Sequence, residues 1–186
     1  FDVEVEWWKP DGSNKKEMKR NFKLVTKTLS YNKSGMKRLN SIVILLIFCS
    51  VSFSIIAQRQ IVSLDGNWSF CVDSLKKGLN DKWAKNGLPD KLSATVTVPH
   101  TWNIKKETCH YWGWGWYQRS IMVPGEWKGK NIKLQFNAVY HDATVWVNGV
   151  KAGEHKGSGF TKFFIDVSKL LVPSKKNIIT VLADNS

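Results

Sequence analysis

Arginine almost disappears from this chain after its first twenty residues: only Arg38, Arg59 and Arg119 follow. The net charge is still +13, so the excess rests on lysine. Residues 1–57 carry 10 Lys/Arg against 5 Asp/Glu, and residues 58–186 carry 18 against 10, without a basic helix or cluster. A nucleic-acid surface gathers its cations on one face, whereas dispersed lysine is a solvated surface, so no nucleic-acid partner is expected. Cysteine is equally sparse. Cys49, Cys71 and Cys109 show neither a CxxC pair nor a Cys/His metal spacing, and no metal or cofactor is expected. Cys71 and Cys109 are left as either one disulfide or two free thiols. A helical period is missing from residue 61 onward, and so is any run of the roughly 20 apolar residues that span a bilayer.

The longest apolar run is Ile42–Ala57, 16 residues interrupted by Ser50, Ser52 and Ser54. It follows Met36-Lys37-Arg38 in "MKRLNSIVILLIFCSVSFSIIAQ", the layout of a secretory signal peptide. Residues 36–57 are therefore read as a leader cleaved after Ala57, giving a periplasmic or secreted product with no stable membrane span. A lipoprotein signal on Cys49 is disfavoured by the bulky Phe48 before it. Because a signal works from the N-terminus, residues 1–35 are expected to be a spurious or unstructured extension, outside the fold apart from a short strand at "DVEVEWW". If that extension is genuine, the apolar run becomes an internal signal anchor.

What the rest of the chain has in quantity is short strands broken by Gly, Pro and Asn. Candidates are "LDGNWSFCV", "SATVTVP", "GWYQRSIMVP", "KNIKLQFNAV", "DATVWVNGV", "TKFFIDVSKLL" and "NIITVLADN". Alternation in Ala143–Val147 puts Ala143, Val145 and Val147 on one face and Thr144 and Trp146 on the other. Asn148-Gly149 then predicts a two-residue hairpin, so residues 150–155 should return antiparallel. Many short strands without crossover helices predict an all-β antiparallel jelly roll or sandwich. "DSLKKGLNDKWAKNGLPDKL" (73–92) reads as a long loop with one helical turn near Trp83.

Ten tryptophans exceed what a core of this size requires, and they cluster in "HYWGWGWYQRS" (110–120). The phrases "LDGNWSF" (64–70), "VPHTWN" (98–103), "GWGWYQRSIMVPGEWKGKNIKLQFNAVYHDATVWVNGVKAGEHKGSGFTKFFIDVS" (113–168) and "NIITVLADNS" (177–186) stand in order. Together, over residues 61–186, they resemble the N-terminal sugar-binding jelly-roll domain of glycoside hydrolase family 2, which includes β-galactosidases, β-glucuronidases and β-mannosidases. The resemblance implies a domain that precedes an immunoglobulin-like domain and a TIM barrel. It also implies that two barrel glutamates do the chemistry, about 5–5.5 Å apart in a retaining enzyme. None of the ten carboxylates after residue 57 reads as such a pair, so no catalytic residue is assigned.

The expected role is thus the non-catalytic part of an exported retaining exo-β-glycosidase. It is β-galactosidase-like in first reading, with a β-glucuronidase or β-mannosidase parent as the alternative. The expected partners are a terminal β-glycoside and the barrel of the same protein. A stand-alone carbohydrate-binding module is the competing class. Within the aromatic stretch, Trp116 and Tyr117 are expected to be core, while Tyr111, Trp112 and Trp114, among glycines, are expected to present rings at the substrate edge. His100 and His155 are expected to be structural, since neither has a nucleophile and supporting acid arranged around it.

Overall fold

The computed structural model describes residues 2–8 and 59–186. The leader expected at 36–57 and most of the 1–35 extension lie outside the described residues. Ten strands run β1 (Asp2–Trp8), β2 (Gln60–Ser63), β3 (Gly66–Asp73), β4 (Ala94–Val98), β5 (Trp114–Met122), β6 (Asn131–Ala138), β7 (Asp142–Val147), β8 (Val150–His155), β9 (Phe163–Asp166) and β10 (Lys176–Asp184). They form a four-stranded sheet ordered β2-β1-β6-β9 and a six-stranded sheet ordered β4-β3-β5-β10-β7-β8. Every pairing is antiparallel. The two-sheet, crossover-connected arrangement is the jelly roll that the strand pattern predicts.

The main core lies between the sheets. Leu134, Phe136 and Ile165 from the smaller sheet meet Tyr117, Val145, Val147, Ile179 and Val181 from the larger one, all buried. On β7, Ala143, Val145 and Val147 are the buried set, as the alternation requires, and the Asn148-Gly149 turn carries positive φ at both residues. Strand β8 returns antiparallel, with its register broken between Val145 and Trp146.

A second, smaller core covers the outer face of the six-stranded sheet. Residues 74–92 fold back over that face and lay Trp83 and Ala84, from the single-turn helix α1 (Trp83–Asn86), against Cys71, Trp116 and Leu182. Asp73 holds the segment in place. Its buried carboxylate accepts hydrogen bonds from Lys77 N at 2.8 Å, Gly78 N at 2.8 Å and Trp116 Nε1 at 3.0 Å. Cys71 and Cys109 are both free thiols, which closes the alternative of a disulfide.

Two strands add to the sequence reading. "DVEVEWW" does form a strand, but β1 is an interior strand of the four-stranded sheet, paired to β2 on one side and β6 on the other. Its sequence contains Val5 in the main core, fully buried, so residues 2–8 do not stand outside the fold. Strand β2 was not foreseen. All four of its residues are exposed, which leaves no alternation to read.

Candidate functional site

The aromatic stretch enters the six-stranded sheet at one end, where four strand termini converge. Trp114, first in β5, pairs with Asp184, last in β10, and with Asp73, last in β3. Asp184 also pairs with Asp142, first in β7. Hydrogen bonds stitch the adjoining loops together. Gly113 N donates to Asn185 Oδ1 at 2.6 Å, Asn185 N donates to Gly113 O at 3.1 Å, and His141 N donates to Asp184 O at 2.9 Å.

Local chemistry explains why this end is built from glycine and rings. A Cβ on Gly115 would stand 2.7 Å from the Trp102 ring and 3.0 Å from Phe70, so only glycine lets Trp102 lie across β5. Trp102 then stacks on Phe70 with centroids 5.7 Å apart, and Phe70 packs on Tyr117 at 4.8 Å. Core aromatic packing thus continues out into the loop that carries Trp112.

Of the three rings expected at the edge, Trp112 is exposed, with 65% of its surface open. Trp114 is half-buried and donates its indole Nε1–H to Asp184 Oδ2 at 2.8 Å, with Lys76 Nζ 5.0 Å from the ring centroid. Tyr111 is half-buried and packs beside Trp102. Its hydroxyl donates to Trp114 O at 3.1 Å and accepts from Trp114 N at 2.9 Å, a brace for the turn. Trp116 and Tyr117 are both buried, on opposite faces of the sheet, the first in the outer core and the second in the main core.

Beside this edge lies a cleft of about 200 Å³ whose lining includes His100, Trp102, Asn103, Tyr117, Tyr140 and Asn185. These residues come from the β4–β5 loop, the β6–β7 loop, β5 and the end of the chain, which is why no contiguous motif marks the cleft. "VPHTWN" and "LADNS" are visible in the sequence as phrases; that they share one wall is not. His100 Nδ1 is hydrogen-bonded to the Tyr117 hydroxyl at 2.8 Å. Burial, with Lys105 nearby, pushes the imidazole below its usual value, and burial pushes the Tyr117 phenol far up, so both are neutral at pH 7. The His155 ring stacks on Phe163 at 4.2 Å, and its Nε2 donates to Ser158 O at 3.0 Å.

Asp184 is the carboxylate that the Trp114 indole reaches. Partial burial pushes it up, but hydrogen bonds from the Ser186 hydroxyl and backbone N–H and from the Trp114 indole outweigh burial, and Lys76 adds to them. It is held below the ordinary carboxylate range, and therefore charged. In the neighbouring residues, His141 Nδ1 lies 2.8 Å from Asp142 Oδ1. The edge can thus offer a tryptophan face, amide and hydroxyl groups and a fixed negative charge.

Residues 106–184 match the family described as "Glycosyl hydrolases family 2, sugar binding domain". This segment is a family 2 sugar-binding domain. The chain is 34% identical over 130 residues to a β-glucuronidase of Paenibacillus borealis, covering 68% of this chain and 21% of that protein. It is 30% identical over 142 residues to the human β-glucuronidase, covering 69% of this chain and 22% of that one. Among solved structures, β-glucuronidase from Ruminococcus gnavus in complex with D-glucaro 1,5-lactone superposes with a TM-score of 0.61 at 31% identity, over 66% of this chain and 21% of that chain. The chain therefore spans about a fifth of the length of the relatives it matches. These relatives bear the name β-glucuronidase, not the β-galactosidase of the first reading.

Proposed function

We propose that this chain is the non-catalytic N-terminal part of an exported retaining exo-β-glycosidase that removes terminal β-glucuronic acid. In this reading the sugar-binding domain supports a catalytic barrel and supplies one wall of the substrate pocket. The glutamates that cleave the glycosidic bond belong to the barrel. The observation that carries the reading is the half-built character of the strand-end edge. Its cleft of about 200 Å³ is smaller than the roughly 300–1,000 Å³ of a self-sufficient ligand pocket, yet it adjoins the exposed Trp112 ring. Such an edge suits a wall completed by a neighbouring domain. The leader at 36–57 supports export, and the identity to β-glucuronidases supports the uronic acid over galactose.

The test is turnover by the purified full-length parent protein. Its kcat/KM for a nitrophenyl β-glucuronide should exceed that for the β-galactoside by at least about a hundredfold, below the roughly 10⁴–10⁵-fold that a site built to pair with a distinctive polar group can reach. The reverse preference overturns the glucuronide reading. One observation favours a stand-alone module: an exposed Trp112 could stack on a sugar unaided. Calorimetry of the 186-residue chain with D-glucuronic acid separates the two, since millimolar or tighter binding supports the module and silence supports the wall.

A further inference from the structure

The outer face of the six-stranded sheet carries a cleft of about 150 Å³ whose lining includes Leu79, Lys82, Lys85, Trp116, Trp146 and Gly149. Its walls are fixed by close packing. Trp116 is buried and bonded to Asp73, and the half-buried Trp146 stacks on it with centroids 5.3 Å apart and planes 28° from parallel. A Cβ on Gly149 would stand 3.0 Å from Lys85 Cβ, so the β7–β8 turn and helix α1 meet only because that position lacks a side chain. Trp146 is thus a braced ring with part of its surface open to the cleft.

The charge beside that ring is of one sign. Lys82 and Lys85 are exposed, and among the described residues no carboxylate lines the cleft. Lys151, opposite Trp146 on β8, is already engaged, with its Nζ 2.6 Å from Glu154. The pairing of ring and ammonium recurs on the same face: Trp114 packs against the same outer cluster, and Lys76 Nζ stands 5.0 Å from its centroid.

We propose that this cleft is a second, non-catalytic site that binds an acidic oligosaccharide, with one pyranose ring against Trp146 and its carboxylate between Lys82 and Lys85. The C–H face of a pyranose complements an aromatic face, and a hydrogen bond from ammonium to carboxylate is roughly twice as strong as one between neutral groups. The cleft is smaller than the roughly 300–1,000 Å³ that encloses a whole ligand, so it takes one residue of a chain whose remainder lies outside it. Trp114 with Lys76 offers a second station to that chain. A single D-glucuronic acid fills one station only and should bind more weakly than millimolar. The choice of a uronic acid among anions rests on the glucuronide reading.

The test is calorimetry of the 186-residue chain with a tetramer of β-linked glucuronic acid, and with the same tetramer after reduction of its carboxyl groups to alcohols. The acidic tetramer should bind at least about tenfold more tightly, because hydrogen bonds to an ionised group are lost on reduction. Lys82→Glu together with Lys85→Glu, both at exposed side chains, should remove that binding without moving the melting transition. In the unaltered chain the Trp146 indole N–H signal should shift during an NMR titration with the acidic tetramer. Equal affinity for the two tetramers overturns the acidic ligand. A Trp146 signal that stays in place, or binding that survives the paired lysine changes, overturns the site. Loss of binding in Trp112→Ala alone moves the saccharide to the strand-end edge and overturns the site as well. The parent's preference for nitrophenyl β-glucuronide is read from turnover, so failure of this site and failure of the glucuronide reading are distinguishable.

Discussion

The two neighbours Trp112 and Trp116 differ in what holds them. Trp116 is fully buried, donates to Asp73 and stacks on Trp146 with centroids 5.3 Å apart. Replacing such a residue by alanine costs about 3–5 kcal/mol, a large share of the roughly 5–15 kcal/mol of a whole domain. Trp116→Ala in the 186-residue chain should therefore lower the melting temperature by at least about 10 °C or abolish the transition. Trp112→Ala should leave it nearly unchanged, because the ring has little packing to lose. On the proposed function, Trp112→Ala in the full-length parent should reduce kcat/KM for a nitrophenyl β-glucuronide, because a wall of the pocket would be lost. Equal destabilisation by both changes, with normal kinetics for the Trp112 variant, would show that Trp112 is only a packing residue.

A second residue-scale prediction concerns acid. Because the folded pKa of Asp184 is depressed, its stabilising contribution is complete above the unfolded value of about 3.9 and disappears as pH falls through the lower folded value. Trp114→Phe removes one of the donors to its carboxylate. The titration midpoint of Asp184, followed by carbon NMR of the carboxyl, should move upward in this variant, and acid unfolding should begin at higher pH. An unmoved midpoint would show that the Ser186 hydrogen bonds and Lys76 account for the depression without the indole.

At the scale of elements, residues 74–92 turn a sheet with one covered face into a sheet with two. A Cβ on Gly78 would lie 2.6 Å from the Trp116 indole, so the segment approaches the sheet only because that position lacks a side chain. Gly78→Ala should cost about 1–3 kcal/mol through overpacking, read as a shift in the urea midpoint without a change in slope. Gly129→Ala is the control: nothing stands within 4 Å of its Cβ position, and the penalty comes only from its φ of +75°. Its cost should be about 1 kcal/mol, set by a left-handed residue that carries a side chain. Gly78→Ala should therefore weaken the outer tryptophan packing, seen as altered near-ultraviolet circular dichroism, whereas the control should not.

For the whole molecule, the domain reading places the bond-breaking carboxylates in another part of the parent. The purified 186-residue chain should show no turnover of nitrophenyl β-glucuronide above the buffer rate, since a retaining mechanism needs two carboxylates across the scissile bond. Measurable turnover that survives rigorous purification would place the chemistry here. The exposed apolar groups Trp112 and Tyr140 lie at the strand-end edge, with the exposed Phe160 ring 5.5 Å from that of Tyr140. The isolated chain should accordingly associate as its concentration rises, with a sedimentation coefficient that increases, whereas the full-length protein should not do so through this face.

Alternation and turn chemistry determined much of this protein locally. The apolar rhythm of Ala143, Val145 and Val147, the Asn148-Gly149 turn and the breaks at Pro99 and Pro124 marked where strands begin, end and reverse, because these signals act within a few residues. The aromatic clustering around Trp112 was visible for the same reason. Pairing between distant strands was not visible: backbone N–H and C=O groups are the same at every residue, so a strand's sequence does not name its neighbour. Only the tertiary structure placed β10 between β5 and β7 and β1 between β2 and β6. It likewise decided that Trp116 and Tyr117, both expected to be core, enter two different cores, since a strand shows its two faces by alternation but not what comes to cover them. The cleft wall was decided at that level too, because His100, Tyr140 and Asn185 meet through loop closure across the convergent strand ends.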